Sequence, residues 1–370
     1  MFRRPVRALV LLLPLLAASI PAASIPAAGQ QAARLPGGFD AELLREALGK
    51  GRAAVQAGDD ETAVEHLTRA ARIPDLPQPQ RAVVHNERGR ALLRLGRRDK
   101  ALLDFHRAIR LDATVADSWY QRGRLRADLG EPETALEDLS EALRLDPRLG
   151  AGYRARADVF VALRRLAEAK ADIDAALRLD ARNPESHRAR GRLHLMMAEP
   201  WAAFRDFTKM LQLQPGLAEA LMDRGRAAFF LGRFAAAAAD FRTALRQAPE
   251  DPAAGLWFRV AALRSGIGDP AEPDPAGGRD AAWPDPILAL LEGDLEERAL
   301  LDLARDAPPG EAALRQAEAE FFLAQRDLIA GAPELAEARF RRILQGGQRG
   351  SAAYQGARAE LTRLAAPVAK

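Results

Sequence analysis

A spacing of 34 residues runs through the middle of this chain of 370 residues and constrains its fold more than any other feature. Gly89, Gly123, Ala157, Gly191 and Gly225 stand 34 positions apart, and twelve residues after each comes an alanine: Ala101, Ala135, Ala169, Ala203 and Ala237. Four further on lies a large apolar residue, Phe105, Leu139, Ile173, Phe207 or Phe241, and three beyond that Ala108, Ala142, Ala176, Met210 or Ala244. Pro147, Pro215 and Pro249 close segments in phase. Self-similarity at such a period marks an array whose units cannot bury their own apolar faces and must stack on their neighbours.

Each unit reads as two helices. A small residue in the first helix lets the second approach closely, and the alanine twelve positions later is expected to sit across from it, since two large residues there would force the pair apart. The large apolar residue shares the alanine's face one turn on and is expected to fill the space between successive units. Gly96, Gly130 and Gly232 fall where the first helix must end and turn. An earlier copy fits with Gly51, Gly58, Ala63, Leu67 and Ala70, offset by four extra residues in the Pro-rich connector 74–79.

The pattern, and above all Trp119-Tyr120-Gln121-Arg122-Gly123 through Leu145-Asp146-Pro147, resembles the tetratricopeptide repeat. That resemblance implies an all-α chain, a right-handed α-solenoid of about six helix-turn-helix repeats over 41–249. Beyond it the period breaks. Residues 250–286 read as one more helix, around Leu256 to Leu263, and a Gly, Pro and Asp-rich loop from Gly266 to Pro286. Residues 287–370 read as further helices, with Gly331, Ala336 and Phe340 restoring a repeat-like pair and Ser351 to Leu364 forming a capping helix. Trp283-Pro284, Leu291-Glu292-Gly293, Glu318 to Leu323 and Glu337 to Phe340, placed after a repeat array, resemble the NlpI-type family of bacterial lipoproteins. The chain departs from that family in having no cysteine to carry a lipid.

The first 28 residues read as an export signal. Arg3, Arg4 and Arg7 form a basic start, Ala8 to Ile20 is apolar apart from Pro14, and small residues follow, with cleavage expected between Ala22 and Ala28. The apolar run falls short of the roughly 20 residues a membrane-spanning helix needs, so no stable membrane insertion is expected after cleavage, and the processed chain is expected in the periplasm of a two-membrane bacterium. The whole chain carries a net charge of +3 from 54 basic and 51 acidic residues. Losing the three leader arginines would leave 51 of each. That removes the electrostatic case for nucleic acid.

Two arginine columns keep the period. Arg88, Arg122, Arg156, Arg190 and Arg224 precede the small residue, and Asp104, Asp138, Asp172, Asp206 and Asp240 precede the large apolar one, a spacing suited to repeated guanidinium-carboxylate bridges between helices. Arg90, Arg124, Arg192 and Arg226 lie two residues further on, about 200° round the helix. They share a face with Tyr120, Arg154, Arg188 and Met222 before them and Met196 and Phe229 after them. By resemblance to the tetratricopeptide repeat this face lines a concave, partner-binding groove, basic at Arg90, Arg124, Arg154, Arg188, Arg192 and Arg226 and apolar around Met222 and Phe229. The competing reading is scattered solvated arginine, since only five of the 54 basic residues are lysine.

No catalytic constellation stands out. The five histidines, 66, 85, 106, 187 and 194, lack metal-ligand spacing, and Asp269, Glu272, Asp274, Asp280 and Asp285 lack the register of a calcium loop. Trp201, Trp257 and Trp283 read as core. There is neither a phosphate-cradling motif nor a nucleophile elbow, so no cofactor or metal is expected. The functional expectation is a non-enzymatic scaffold for proteins or peptides of the cell envelope. By resemblance to the NlpI type these would be cell-wall hydrolases and a protease. The alternative is a peptide-binding chaperone or secretion-assembly module, and homodimer formation is left open.

Overall fold

The computed structural model describes residues 41–266 and 283–366. The leader at 1–28, most of the Gly266 to Pro286 segment and the acids Asp269, Glu272, Asp274 and Asp280 lie outside the described residues, within which there are 18 helices and no strands. Six hairpins come first: α1 (Ala41–Gln56) with α2 (Asp60–Ala71), α3 (Gln78–Arg94) with α4 (Arg98–Leu111), α5 (Ala116–Asp128) with α6 (Pro132–Leu145), α7 (Gly150–Ala162) with α8 (Leu166–Leu179), α9 (Pro184–Met196) with α10 (Pro200–Leu213), and α11 (Ala218–Phe230) with α12 (Phe234–Gln247). Each helix packs on the next, so the hairpins stack into an α-solenoid. None of the described helices is long and apolar enough to cross a membrane.

The small residue of each first helix meets the large residue sixteen positions on, in its own hairpin. A Cβ placed on Gly89 would stand 2.7 Å from Phe105 Cε1, on Gly191 2.6 Å from Phe207 Cε1, and on Gly225 2.5 Å from Phe241 Cε1. At Gly123 it would meet Leu139 Cγ at 2.9 Å and the Ala135 carbonyl at 3.2 Å. The alanine is thus not the residue that faces the glycine most closely. Ala101, Ala135, Ala169, Ala203 and Ala237 are fully buried, but the ring or branched chain one turn beyond each of them fills the space the glycine leaves. Where the first helix carries Ala157, the facing residue is the slimmer Ile173.

The turn between paired helices also repeats every 34 residues. Gly96, Gly130 and Gly232 have φ of 71°, 80° and 75°, and Arg164 and Ala198 take the same left-handed conformation at 61° and 62°. The turn geometry thus persists where glycine does not, at the steric cost a Cβ carries there.

After the sixth hairpin the architecture changes. Helix α13 (Pro252–Ser265) packs on α12, the short α14 (Asp285–Glu292) and α15 (Glu297–Arg305) follow, and α16 (Ala312–Ile329) pairs with α17 (Pro333–Gln345). Helix α18 (Ala352–Ala365) turns back to lie against α16, α17 and α11. Trp257 sits at the centre of the resulting aromatic cluster, with ring centroids 5.3 Å from Phe229, 5.7 Å from Phe321 and 5.4 Å from Phe322. Gly356 of α18 repeats the close approach of the array, its Cβ position 2.5 Å from Phe321 Cε2. Trp201 departs from the core role read for it: it is 49% exposed, stacked on Phe204 and covered by Arg233.

Gly225→Ala tests the close approach. Alanine returns up to about 1 kcal/mol of helix propensity, while overpacking against Phe241 costs about 1–3 kcal/mol, so a net loss of up to about 2 kcal/mol is expected in chemical denaturation. Adding Phe241→Leu is expected to recover part of it, and a single variant as stable as the parent would show that the ring does not set the spacing.

Candidate interaction groove

The arginine preceding each small residue forms the same two-pronged bridge five times. Arg88, Arg122, Arg156, Arg190 and Arg224 donate from Nε and Nη2 to both carboxylate oxygens of Asp104, Asp138, Asp172, Asp206 and Asp240, at 2.6–2.8 Å. The acids are buried. Burial alone would raise the Asp104 carboxyl, but hydrogen bonds from Arg88 and His85 outweigh it and hold the group below its usual range. The remaining nitrogen, Nη1, reaches back to the preceding hairpin: from Arg88 to Thr68, Arg122 to His106, Arg156 to Ser140 and Arg190 to Asp174, at 2.9–3.2 Å. In the equivalent place before Arg224 the Thr208 hydroxyl is buried without a partner. Besides His106, three histidines belong to the same layer: His85 and His187 lie 3.0 and 3.2 Å from Asp104 and Asp206, and His194 holds Glu199 at 2.6 Å. Among the described residues no group of His, Asp or Glu has the arrangement of a metal site.

The first helices α3, α5, α7, α9 and α11 touch one another from hairpin to hairpin and so line one continuous face. The second arginine column lies on it with acids that the sequence reading did not include. Asp117 accepts from Asn86 at 2.7 Å and from Gln121 at 3.0 Å, with Arg90 3.8 Å away. Arg124 lies over the Tyr120 ring. Asp223, fully buried, gathers three of the predicted groove arginines: Arg188 and Arg192 donate to Oδ2 at 3.1 and 3.0 Å, and Arg226 bonds to Oδ1. Arg188 also bonds to Glu219. Between these two knots, Asp158 lies near Arg154, Arg124 and Arg192. It lines a recess of about 290 Å³ walled by α5, α6 and α7. Asp158 is exposed at the mouth of this recess, yet desolvation by the surrounding walls raises its carboxyl above the usual value, against the pull of the three arginines.

Six arginines on this face therefore share it with five carboxylates, Asp117, Asp128, Asp158, Glu219 and Asp223. The signal was in the sequence as breaks in the columns. Asp158 stands where Arg90, Arg124, Arg192 and Arg226 stand in other repeats, and Asp223 stands where Ala155 and Ala189 do. At the apolar end, Met222 is half-buried, while Phe229 is fully buried against Trp257, Phe234 and Phe321 and is no part of an open groove. The helices beyond the array close over it, with Trp257 of α13 and Phe321 of α16 against its ring, while Arg363 of α18 donates to the carbonyls of Phe229 and Phe230 at the end of α11.

Models of the tetratricopeptide repeat match residues 86–149 and 198–256. The array is a tetratricopeptide-repeat solenoid. Among solved structures it is similar to PilW, described as a widely conserved type IV pilus biogenesis factor, at 17% identity over 57% of this chain and 96% of that one, with a TM-score of 0.52. That likeness shows the fold. A tetratricopeptide repeat protein from Parabacteroides merdae matches 86% of this chain and 99% of its own at 17% identity, TM-score 0.46. A thermophilic one from Thermus thermophilus matches 49% and 99% at 26% identity, TM-score 0.41. No curated protein matches the chain.

Two substitutions probe this face. Asp223→Ala leaves three part-exposed arginines around a missing carboxylate, and losing the partner of such hydrogen-bonded groups costs about 1–3 kcal/mol; a thermal midpoint within error of the parent would show that the three guanidinium groups do not need it. At Asp158 the folded-state value is raised, so its favourable share of stability is present below the unfolded carboxylate range and lost as pH rises through the folded value. Asp158→Asn is expected to raise the midpoint at about pH 7 and to leave it unchanged near pH 3.

Proposed function

We propose that the protein is an exported, non-enzymatic scaffold that holds cell-envelope proteins together by binding their acidic segments along the face formed by its first helices. The observation that carries this is the uneven pairing on that face. Asp223 and Glu219 occupy Arg188, Arg192 and Arg226, and Asp117 stands beside Arg90, whereas Arg124 and Arg154 make no hydrogen bond or ion pair with any described residue, with Asp158 near both and Asp128 lining the same recess as Arg124. Guanidinium groups left without an ion pair on the face of the first helices suit carboxylate-bearing chains, which they can hold bidentately. Binding two partners on one surface raises their effective concentration for each other. Export rests on the basic, apolar and small-residue order of the first 28 residues. Cell-wall hydrolases and a protease as the partners rest on the motifs shared with NlpI-type lipoproteins, without their lipid-bearing cysteine.

The test combines location with stoichiometry. Terminal sequencing of protein recovered from the envelope should find a new start between Ala22 and Ala28. Capture from an envelope extract at low salt should retain a few folded partners in fixed ratio, and the double variant Arg124→Glu/Arg154→Glu should lose them. Retention of many unfolded chains would favour the chaperone reading instead, and undiminished capture by the double variant would remove the groove from the account.

A further inference from the structure

Where α18 folds back over α11 it leaves a notch of about 390 Å³ against the α9–α10 turn. This lies toward the small end of the roughly 300–1,000 Å³ that ligand pockets occupy. Its floor is apolar, built from Leu195 of α9, Phe230 of α11, Leu344 of α17 and Leu361 of α18. Its rim carries Arg358 and Thr362, both exposed on α18. Arg358 is the one ionisable side chain among the described residues of the lining, and its guanidinium makes no hydrogen bond or ion pair with any described residue. Its neighbours on the same and facing helices are committed: Arg363 to Glu360 and the α11 carbonyls, Arg264 to Glu360, and Arg233 to the Trp201 ring. The nearby acid, Glu199, is engaged by His194, and Gln355 donates to the Gly350 carbonyl.

We propose that this notch is a second binding site, separate from the concave face, for a peptide segment that carries a large apolar residue beside an acidic one. The apolar side chain fills the space over Phe230 and Leu361, and the carboxylate pairs with Arg358. An uncommitted cation on the rim of an apolar recess is matched by a ligand that brings one negative charge with its apolar group, because a charge-assisted hydrogen bond then forms without breaking another. The notch is open along one side, so the peptide backbone on either side of the anchoring residue stays in solvent and the segment can belong to a longer chain.

The test uses the full chain and a fluorescein-labelled, amidated pentapeptide, Ala-Leu-Phe-Asp-Ala, with Ala-Leu-Phe-Asn-Ala as its uncharged twin, read by fluorescence polarisation. Saturable binding of the first peptide is expected, weakened about tenfold or more by the Asn replacement and by Arg358→Gln, and abolished by Thr362→Trp, which fills the mouth from an exposed position. The Arg124→Glu/Arg154→Glu variant should bind as the parent does, which keeps the site distinct from the groove. Equal binding of the two peptides, parent-like affinity in Arg358→Gln and Thr362→Trp, loss in the groove variant, or saturable binding of sodium decanoate in place of the peptide would each overturn the proposal.

Discussion

The stack depends on one guanidinium group used three ways. Nε and Nη2 of each column arginine close its own hairpin on a buried aspartate, and Nη1 of Arg88, Arg122, Arg156 and Arg190 reaches the hairpin before it. A bridge confined to one hairpin would leave successive units free to slide, and a bridge confined to the interface would leave each hairpin free to open. Arginine, with donors fixed in a plane, serves both at once, which lysine's single ammonium cannot do in that geometry. The aspartate is tolerated in the interior because both of its oxygens are satisfied. Such a pair contributes more to fixing one arrangement than to net stability, since its desolvation offsets much of its attraction.

That layer sits on a steric one. In the second to sixth hairpins the small residue of the first helix admits a large apolar residue from the second, and the aspartate immediately before that residue is thereby brought to the arginine immediately before the small one. Close approach and ion pair are the same contact seen from adjacent residues. The Pro-rich connector with its four extra residues shows how strictly this is kept: Arg88 reaches its backward partner twenty positions away at Thr68, where later repeats span sixteen. The insertion lengthens the link between hairpins and leaves the interface unchanged.

The sequence made the array legible because a repeated physical requirement leaves a repeated residue. The Arg88 and Asp104 columns could be paired from spacing alone, and the turns were visible where glycine marked them. What was not legible came from single departures. Arg164 and Ala198 take the turn conformation without its usual residue. Asp158 and Asp223 neutralise part of a face that the columns alone paint as basic. Phe229 looked like the end of a groove because nothing in its own helix announces that Trp257 of α13 and Phe321 of α16, which follow the array, will pack against it. Periodicity reports what every unit shares, and the character of the first-helix face is set by what individual units do not share.

The returning C-terminal helices also change how the molecule comes apart. In an open array each unit leans only on its neighbours, and ends fray independently of the middle. Here Arg363 bonds to Phe230 across 133 residues and Arg264 to Glu360 across 96. The far end of the solenoid is thereby tied into a loop, so its last two hairpins and the helices beyond them gain or lose structure together. The first repeats keep the local, sequential character of an open array, and the one chain holds two regimes of cooperativity side by side.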